Sequence, residues 1–385
     1  MKRLFCILFS SLLILCSCKD PISIGVTSED GYELEYKYGE ITLLDTISTE
    51  SDIYTENYPD DVFVPRDTLS IGKDQIIYTW NTALSIQKEN GKITPLCRDP
   101  LCDHMQRESC IVSYGLIKCT LQRGTDVFFL KGNGVYRYSV ETYKVTPYAI
   151  FSAMATEMFS MGRFLYVRIL NEAYVKIDLE TNMGETIAIE SVEPIVIYPS
   201  EGRLYCLDQA MNILVCDQNM QLTETLIKDI KPGCYIQQCF QVYDNKIYYV
   251  TIKDEHHLLC VYDTQDGQTE TYDDVYCFAI SDGKIYMMLY DPIPGMLFYN
   301  GSEAVETTIQ TAGKIYHAPL DEIDDMRLLT SFDIEGWQID GYWIWATKRY
   351  LYTEGDHFTK DSAETGFWRY DIASDVWEEI REEDV

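Results

Sequence analysis

The 385-residue sequence predicts an all-β protein made of repeated four-stranded units, on three observations: its composition, a turn-plus-aromatic pattern that recurs seven times, and an alternating pattern that follows it. Thirty Tyr, with 22 Gly and 12 Pro spread along the chain, favour many short strands joined by turns over long helices. Side chains that are 46% hydrophobic and 24% charged suffice to bury a core, which excludes a disordered or collagen-like chain. Sixty-two acidic against 31 basic residues leave a formal charge of −31. That is the wrong sign for gripping nucleic acid or anionic lipid, so nucleic acid is excluded as a partner.

In chain order, Met1-Lys2-Arg3 precedes a mostly apolar run from Leu4 to Cys16, too short to span a bilayer comfortably and matching a secretory signal. Leu15-Cys16-Ser17-Cys18 resembles the lipobox of bacterial lipoproteins, in which the Cys is acylated and the chain is cut in front of it. Residues 1–17 are then a cleaved signal peptide and Cys18 the lipidated N-terminus. The mature chain would be extracytoplasmic, held at the cell membrane or cell surface by acyl chains rather than basic residues. Residues 18–60, rich in Asp, Glu, Ser and Thr, are expected to be a tether.

Residues 61–385 carry the repeat. The first pattern is a turn followed by aliphatic-aromatic pairs, with anchors at Tyr78, Phe129, Tyr166, Tyr205, Tyr248, Tyr286 and Trp345. Their spacings are 51, 37, 39, 43, 38 and 59 residues. The second is an alternating strand, a polar turn and a strand rich in Thr, Glu or Val, as in VKIDLETNMGETI (175 to 187) and CVYDTQDGQTETY (260 to 272). A short apolar stretch precedes each first pattern, so each unit has four strands. One such sheet cannot cover its own apolar faces and must stack on its neighbours, which predicts a β-propeller of seven four-stranded blades. The long spacings mark insertions, one of them around residues 291–312. An eighth blade formed from residues 32–46 is the alternative count.

The sharpest local feature is CRDPLCDHMQRESC, which opens a polar loop at 97–113 after the first unit. Cys97, Cys102, His104 and Cys110 are three soft sulfur ligands and one imidazole, the donor set of a closed zinc site, although the spacing is not that of a zinc finger or ribbon. A disulfide among Cys97, Cys102, Cys110 and Cys119 is equally natural outside the cytoplasm, and free thiols are the third reading. The run C-x4-C-x-H-x5-C after a first blade, downstream of a lipobox, resembles a group of bacterial β-propeller lipoproteins that share a domain of unknown function. The resemblance covers most of the mature chain. It implies the same fold, a surface location and proximity of these four side chains, and it implies no activity. Cys206, Cys216, Cys239, Cys260 and Cys277 lie in apolar strand patterns as small buried hydrophobes. Cys206 and Cys216 flank one hairpin, and register decides whether they can pair.

No catalytic constellation emerges. The five His, at 104, 256, 257, 317 and 357, sit in no nucleophile motif, and no G-x-S-x-G or H-E-x-x-H is present. His256 and His257 are expected at a solvated hairpin turn, pointing to opposite faces if extended. SFDIEGW (331 to 337) is a near miss to the sialidase turn motif. The acidic groups at 321–325 and 263–267 lack a calcium-loop pattern and are expected to be ordinary turns. The leading expectation is therefore a non-enzymatic lipoprotein whose propeller recognises a peptide, glycan or protein partner. The rival is a secreted, glycan-active hydrolase or lyase using a carboxylate pair at the central channel. A convergent cluster with perturbed pKa values would favour the enzyme, and a mixed aromatic and polar lining would favour binding.

Overall fold

Alternation of apolar and polar side chains, punctuated by Gly, Asn and Asp, produces antiparallel meanders in which, one N-terminal strand apart, each sheet is complete before the next begins. The structure is a computed structural model that describes residues 117–380 apart from 124–125, 140–141, 143, 152, 170–172, 189–193, 201, 234–238, 300–302, 340–343, 347 and 359–362. Upstream it describes seven strands and Cys97. No α-helix occurs among the described residues.

The N-terminal segment contributes β1 (Val26–Thr27), β2 (Glu33–Leu34) and β3 (Ile41–Leu43). The first sheet follows as β4 (Leu69–Ile71), β5 (Ile76–Thr79), β6 (Leu84–Gln87) and β7 (Ile93–Pro95). The second holds β8 (Ile117–Arg123), β9 (Asp126–Lys131), β10 (Gly134–Ser139) and β11 (Val145–Phe151), with β3 added along the edge of β11. Part of the expected tether is thus paired to this sheet. The third is β12 (Ala155–Met161), β13 (Phe164–Ile169), β14 (Ala173–Asp178) and β15 (Met183–Ala188). The fourth is β16 (Pro194–Ser200), β17 (Arg203–Asp208), β18 (Ile213–Cys216) and β19 (Leu222–Ile227).

The fifth sheet is β20 (Phe240–Tyr243), β21 (Lys246–Lys253), β22 (His256–Asp263) and β23 (Thr269–Asp273). The sixth is β24 (Val275–Ser281), β25 (Lys284–Leu289), β28 (Lys314–Pro319) and β29 (Arg327–Ser331). Between its second and third strands is a separate hairpin, β26 (Ile293–Tyr299) with β27 (Glu303–Ile309), where the long spacing placed an insertion. The last sheet is β30 (Trp337–Ile339) and β31 (Trp345–Ala346), both on one edge of β32 (Tyr350–Phe358), followed by β33 (Ala363–Asp371) and β34 (Val376–Ile380).

Six of the seven aromatic anchors lie on the second strand of their sheets. The seventh does not: Trp345 belongs to the split first strand, and its partner Tyr352 on β32 holds the anchor position. GYWIWAT and YLYTEG both offer an aromatic within an apolar run, and alternation alone does not tell a first strand from a second.

Each apolar cluster is shared by two consecutive sheets. Phe128, Leu130, Val167 and Ile177 join the second and third sheets. Phe159, Tyr166, Tyr174, Leu204 and Cys206 join the third and fourth. Tyr205, Leu207, Phe240 and Tyr249 join the fourth and fifth, Val250, Leu259, Phe278 and Met287 the fifth and sixth, and Tyr286, Met288, Leu351 and Trp368 the sixth and last. The sheets therefore stack face to face in sequence order, a propeller-like arrangement in which the first strands of successive sheets lie side by side. The outer strands are open on both faces, as in Leu222 to Glu224 and Thr269 to Thr271.

Two-residue turns with positive φ at both positions close several hairpins, at Asp244-Asn245, Asp254-Glu255 and Asp282-Gly283. The turns between third and fourth strands are held by an Asp at the end of the third strand. Asp178, Asp217, Asp263 and Asp371 each accept a backbone N–H two residues on. At 263–267, Asp266 likewise accepts from the Gln268 N–H, so both carboxylates serve their own turn.

Candidate functional site

Because the four strands of each sheet alternate in direction, the turn between second and third strands and the connection to the next sheet fall at the same end. That end carries the inserted hairpin; of the expected 97–113 loop between β7 and β8, only Cys97 is among the described residues. Cys97, just beyond β7, is half-buried. Cys102, His104, Cys110 and Cys18 lie outside the described residues, and Cys119 is on β8.

The first strands are irregular at this same end. Thr156 on β12, Ile195 on β16 and Tyr276 on β24 are each an extra residue in the ladder, a β-bulge near the start of the strand. A bulge twists the strand and re-aims the side chains around it. Two polar clusters are built on these bulges.

The first cluster joins the fifth and sixth sheets. The turn at Asp254-Glu255 makes His256 and His257 the first residues of β22, so they alternate faces: His256 is exposed and His257 is only 8% exposed. This corrects the expectation of two solvated turn residues. His257 is in phase with Leu259 and Val261, whose faces are buried. Its ring stacks on Tyr290 at 4.2 Å and 17° and lies 5.3 Å from the bulge residue Tyr276. Its Nδ1 makes no full hydrogen bond among the described residues. Burial pushes the imidazole below its usual range, against the opposing pull of Asp274 and the Gly233 backbone. Gly233, in the connection entering the fifth sheet, is required here: a Cβ would stand 2.9 Å from Val250 Cγ1 and 3.1 Å from His257 Nδ1.

The second cluster joins the third and fourth sheets. After the bulge at Thr156, Glu157 pairs in register with Arg168 on β13, which pairs with Tyr174 on β14. The Arg168 guanidinium lies 3.6 Å from the Glu157 carboxylate, and the Tyr174 hydroxyl donates to the same oxygen at 3.1 Å. Arg168 also donates to the Pro194 carbonyl at 3.1 Å, across to the next sheet. Burial raises the Glu157 carboxyl above the ordinary carboxylate range, with Arg168 and Tyr174 pulling it back down. The group gathers a guanidinium, a phenol hydroxyl and a carboxyl at this end, each engaged with another of the group or with the Pro194 carbonyl.

Sequence reasoning missed both clusters. The available signal was phase: a polar residue on the face of the strand that also carries core residues, as Arg168 does with Phe164 and Tyr166. SFDIEGW runs between the outer strand of the sixth sheet and the first strand of the last, where Gly336 takes a φ of 81° and the Trp337 N–H donates to the Ile334 carbonyl. Of the acidic residues at 321–325, Asp324 and Asp325 lie in a short 3-10 turn, Ile323–Asp325, that follows Glu322, with Asp325 paired to Arg327 at 2.6 Å, both exposed.

No family model matches the chain, and comparison with curated proteins finds no match. Among solved structures, the chain is similar to one in a nidogen/laminin complex, at 9% identity and a TM-score of 0.42, covering 67% of this chain and 92% of that one. It is similar to the N-terminal domain of Nup159 at 8% identity and a TM-score of 0.41, covering 86% and 92%. The computationally designed Ika8 protein matches at 11% identity and a TM-score of 0.44, covering 84% and 87%. At these levels the matches say nothing of activity.

Proposed function

We propose that the chain is a surface lipoprotein, anchored through Cys18, whose residues 61–385 form a closed seven-bladed β-propeller that binds a peptide, glycan or protein partner without transforming it. The ring is supported by the succession of neighbouring first strands β4, β8, β12, β16, β20, β24 and β31. The anchor is supported by the apolar run and Leu15-Cys16-Ser17-Cys18. The binding role rests on one observation: bulges recur at one end of the first strands, and that end gathers the His257–Tyr276–Tyr290 stack and the Glu157–Arg168–Tyr174 cluster. An aromatic group and an ion pair at the same end of the sheets supply the mixed aromatic and polar character expected of recognition.

The test uses soluble residues 19–385 on glycan and peptide arrays, with hits quantified by calorimetry. Arg168→Ala and Tyr290→Ala should each weaken binding tenfold or more, about 1.4 kcal/mol. Gln265→Ala, in an exposed turn at the opposite end, should leave it unchanged. The carboxyls that burial raises, at Glu157 and Asp356, favour a glycan-active hydrolase or lyase instead. Turnover of a labelled glycan that Glu157→Gln abolishes would replace binding with catalysis.

A further inference from the structure

Register, left open by the sequence, brings two cysteines of the fourth sheet together. Cys206 on β17 stands opposite Leu214, and Cys216 on β18 stands opposite Leu204. The two are therefore diagonal neighbours on one face of the sheet. Both are fully buried, in the cluster that also contains Phe159, Tyr166, Tyr174 and Met220. The Cys206 S–H is shared between the Leu204 carbonyl, at 3.9 Å, and the Cys216 sulfur.

We propose that Cys206 and Cys216 form a reversible disulfide that staples β17 to β18. A relaxed disulfide wants Cα atoms about 4.4–6.8 Å apart, whereas diagonal neighbours in an antiparallel pair lie about 7–8 Å apart. The bond therefore requires backbone adjustment and is labile rather than permanent. The local structure permits that adjustment. Cys216 ends a four-residue strand whose pairing with β19 shifts register at Ile213/Leu214 and again at Val215/Cys216. It is followed directly by a turn in which Gln218 and Asn219 are exposed. Local opening of this hairpin admits a small oxidant to Cys216 without unfolding the sheets. The hydrogen bond from Cys206 also holds the Cys216 thiol below its usual range, while that bond and burial hold Cys206 well above its own, so Cys216 is the attacking thiolate and Cys206 follows as the resolving thiol.

With a small disulfide such as glutathione disulfide as oxidant, the Cys216 thiolate attacks one glutathione sulfur and releases the first glutathione thiolate. The Cys206 thiolate then attacks the Cys216 sulfur and releases the second. The two cysteine protons leave on the two glutathiones, so one disulfide is consumed and one is formed. This chemistry is independent of the binding role proposed above, and an oxidising compartment supplies the occasion for it.

The test incubates the purified mature chain with excess glutathione disulfide, alkylates remaining thiols, and maps non-reduced peptides by mass spectrometry. The expected result is a cross-linked species joining Cys206 to Cys216, two hydrogens lighter than the sum of its peptides. Added glutathione should reverse it, and Cys216→Ser should abolish it. The oxidised wild type should also unfold at higher urea than the reduced one. Recovery of both cysteines alkylated after unfolding of the treated protein would overturn the proposal. So would separate glutathione adducts on each, or pairing of either with another cysteine.

Discussion

Gly233→Ala probes the packing that holds His257 in place. The new Cβ would meet Val250 Cγ1 at 2.9 Å, His257 Nδ1 at 3.1 Å and Ile252 Cγ1 at 3.4 Å. Val250 is fully buried at the middle of β21, and His257 is pinned against Tyr290, so neither yields cheaply. Overpacking of this kind costs about 1–3 kcal/mol, while the lost freedom of the unfolded chain returns about 0.4–1 kcal/mol. The expected net destabilisation is about 1–2 kcal/mol, read as a lower urea midpoint with an unchanged slope. Val250→Ala removes the closest atom. Alone it destabilises by leaving a cavity, but combined with Gly233→Ala the two should cost about 1 kcal/mol less than their sum. An unchanged or raised midpoint for Gly233→Ala, or strict additivity in the double variant, would refute the contact geometry around His257.

Three further outcomes are expected. The folded state holds the His257 imidazole below the unfolded value of 6.5, so it binds that proton more weakly than the unfolded chain does. Its contribution is therefore full above pH 6.5 and lost as pH falls below it; urea midpoints between pH 7.5 and 5 should drop less in His257→Phe than in the wild type. The Gln338 side chain clamps the inserted hairpin, accepting from the Met296 N–H at 3.1 Å and donating to its carbonyl at 2.6 Å, a contact made possible by Gly295. Gln338→Ala should cost about 1–3 kcal/mol and make residues 293–309 the first site of limited proteolysis. Cys18→Ser should move the protein from the membrane fraction to the soluble one and remove the acyl mass from the N-terminal peptide.

The repeat was legible because everything that specifies it is local. Alternation sets which side chains face the neighbouring sheet, and an Asp at the end of a third strand, such as Asp178 or Asp263, closes its own turn with its own carboxylate. Where two segments satisfy the same local rule, as those around Trp345 and Tyr352 do, the sequence does not choose between them. The bulged end was illegible for the opposite reason. Glu157 meets Arg168 only because an extra residue at Thr156 shifts the ladder, and Arg168 meets Pro194 across a sheet boundary. His257 looked like a turn residue until the two positive-φ residues Asp254 and Glu255 took the turn, leaving it in phase with the core.

This contrast also distinguishes the two ends chemically. At the turns between third and fourth strands, the polar side chains of Asp178, Asp217, Asp263 and Asp371 are occupied by the backbone beside them, and each turn exposes residues, such as Thr181, Gln218, Gln265 and Ala373. Such turns have little left to offer a ligand beyond what water already takes. At the other end, the bulges break the ladder, place a Tyr and a Thr out of register, and bring a buried imidazole and a half-buried carboxyl to sheet boundaries, where loss of solvent shifts both away from their ordinary pKa values. Burying groups whose charged forms are penalised costs stability, and a fold built from repeated, locally satisfied sheets has no structural need of them. Buried charged side chains also occur toward the opposite end, at Asp126, Lys176, Arg369 and Asp371, each held in an ion pair; what sets the bulged end apart is that its polar groups stand on out-of-register first strands at the end that carries the inserted hairpin, the observation on which the proposed binding role rests.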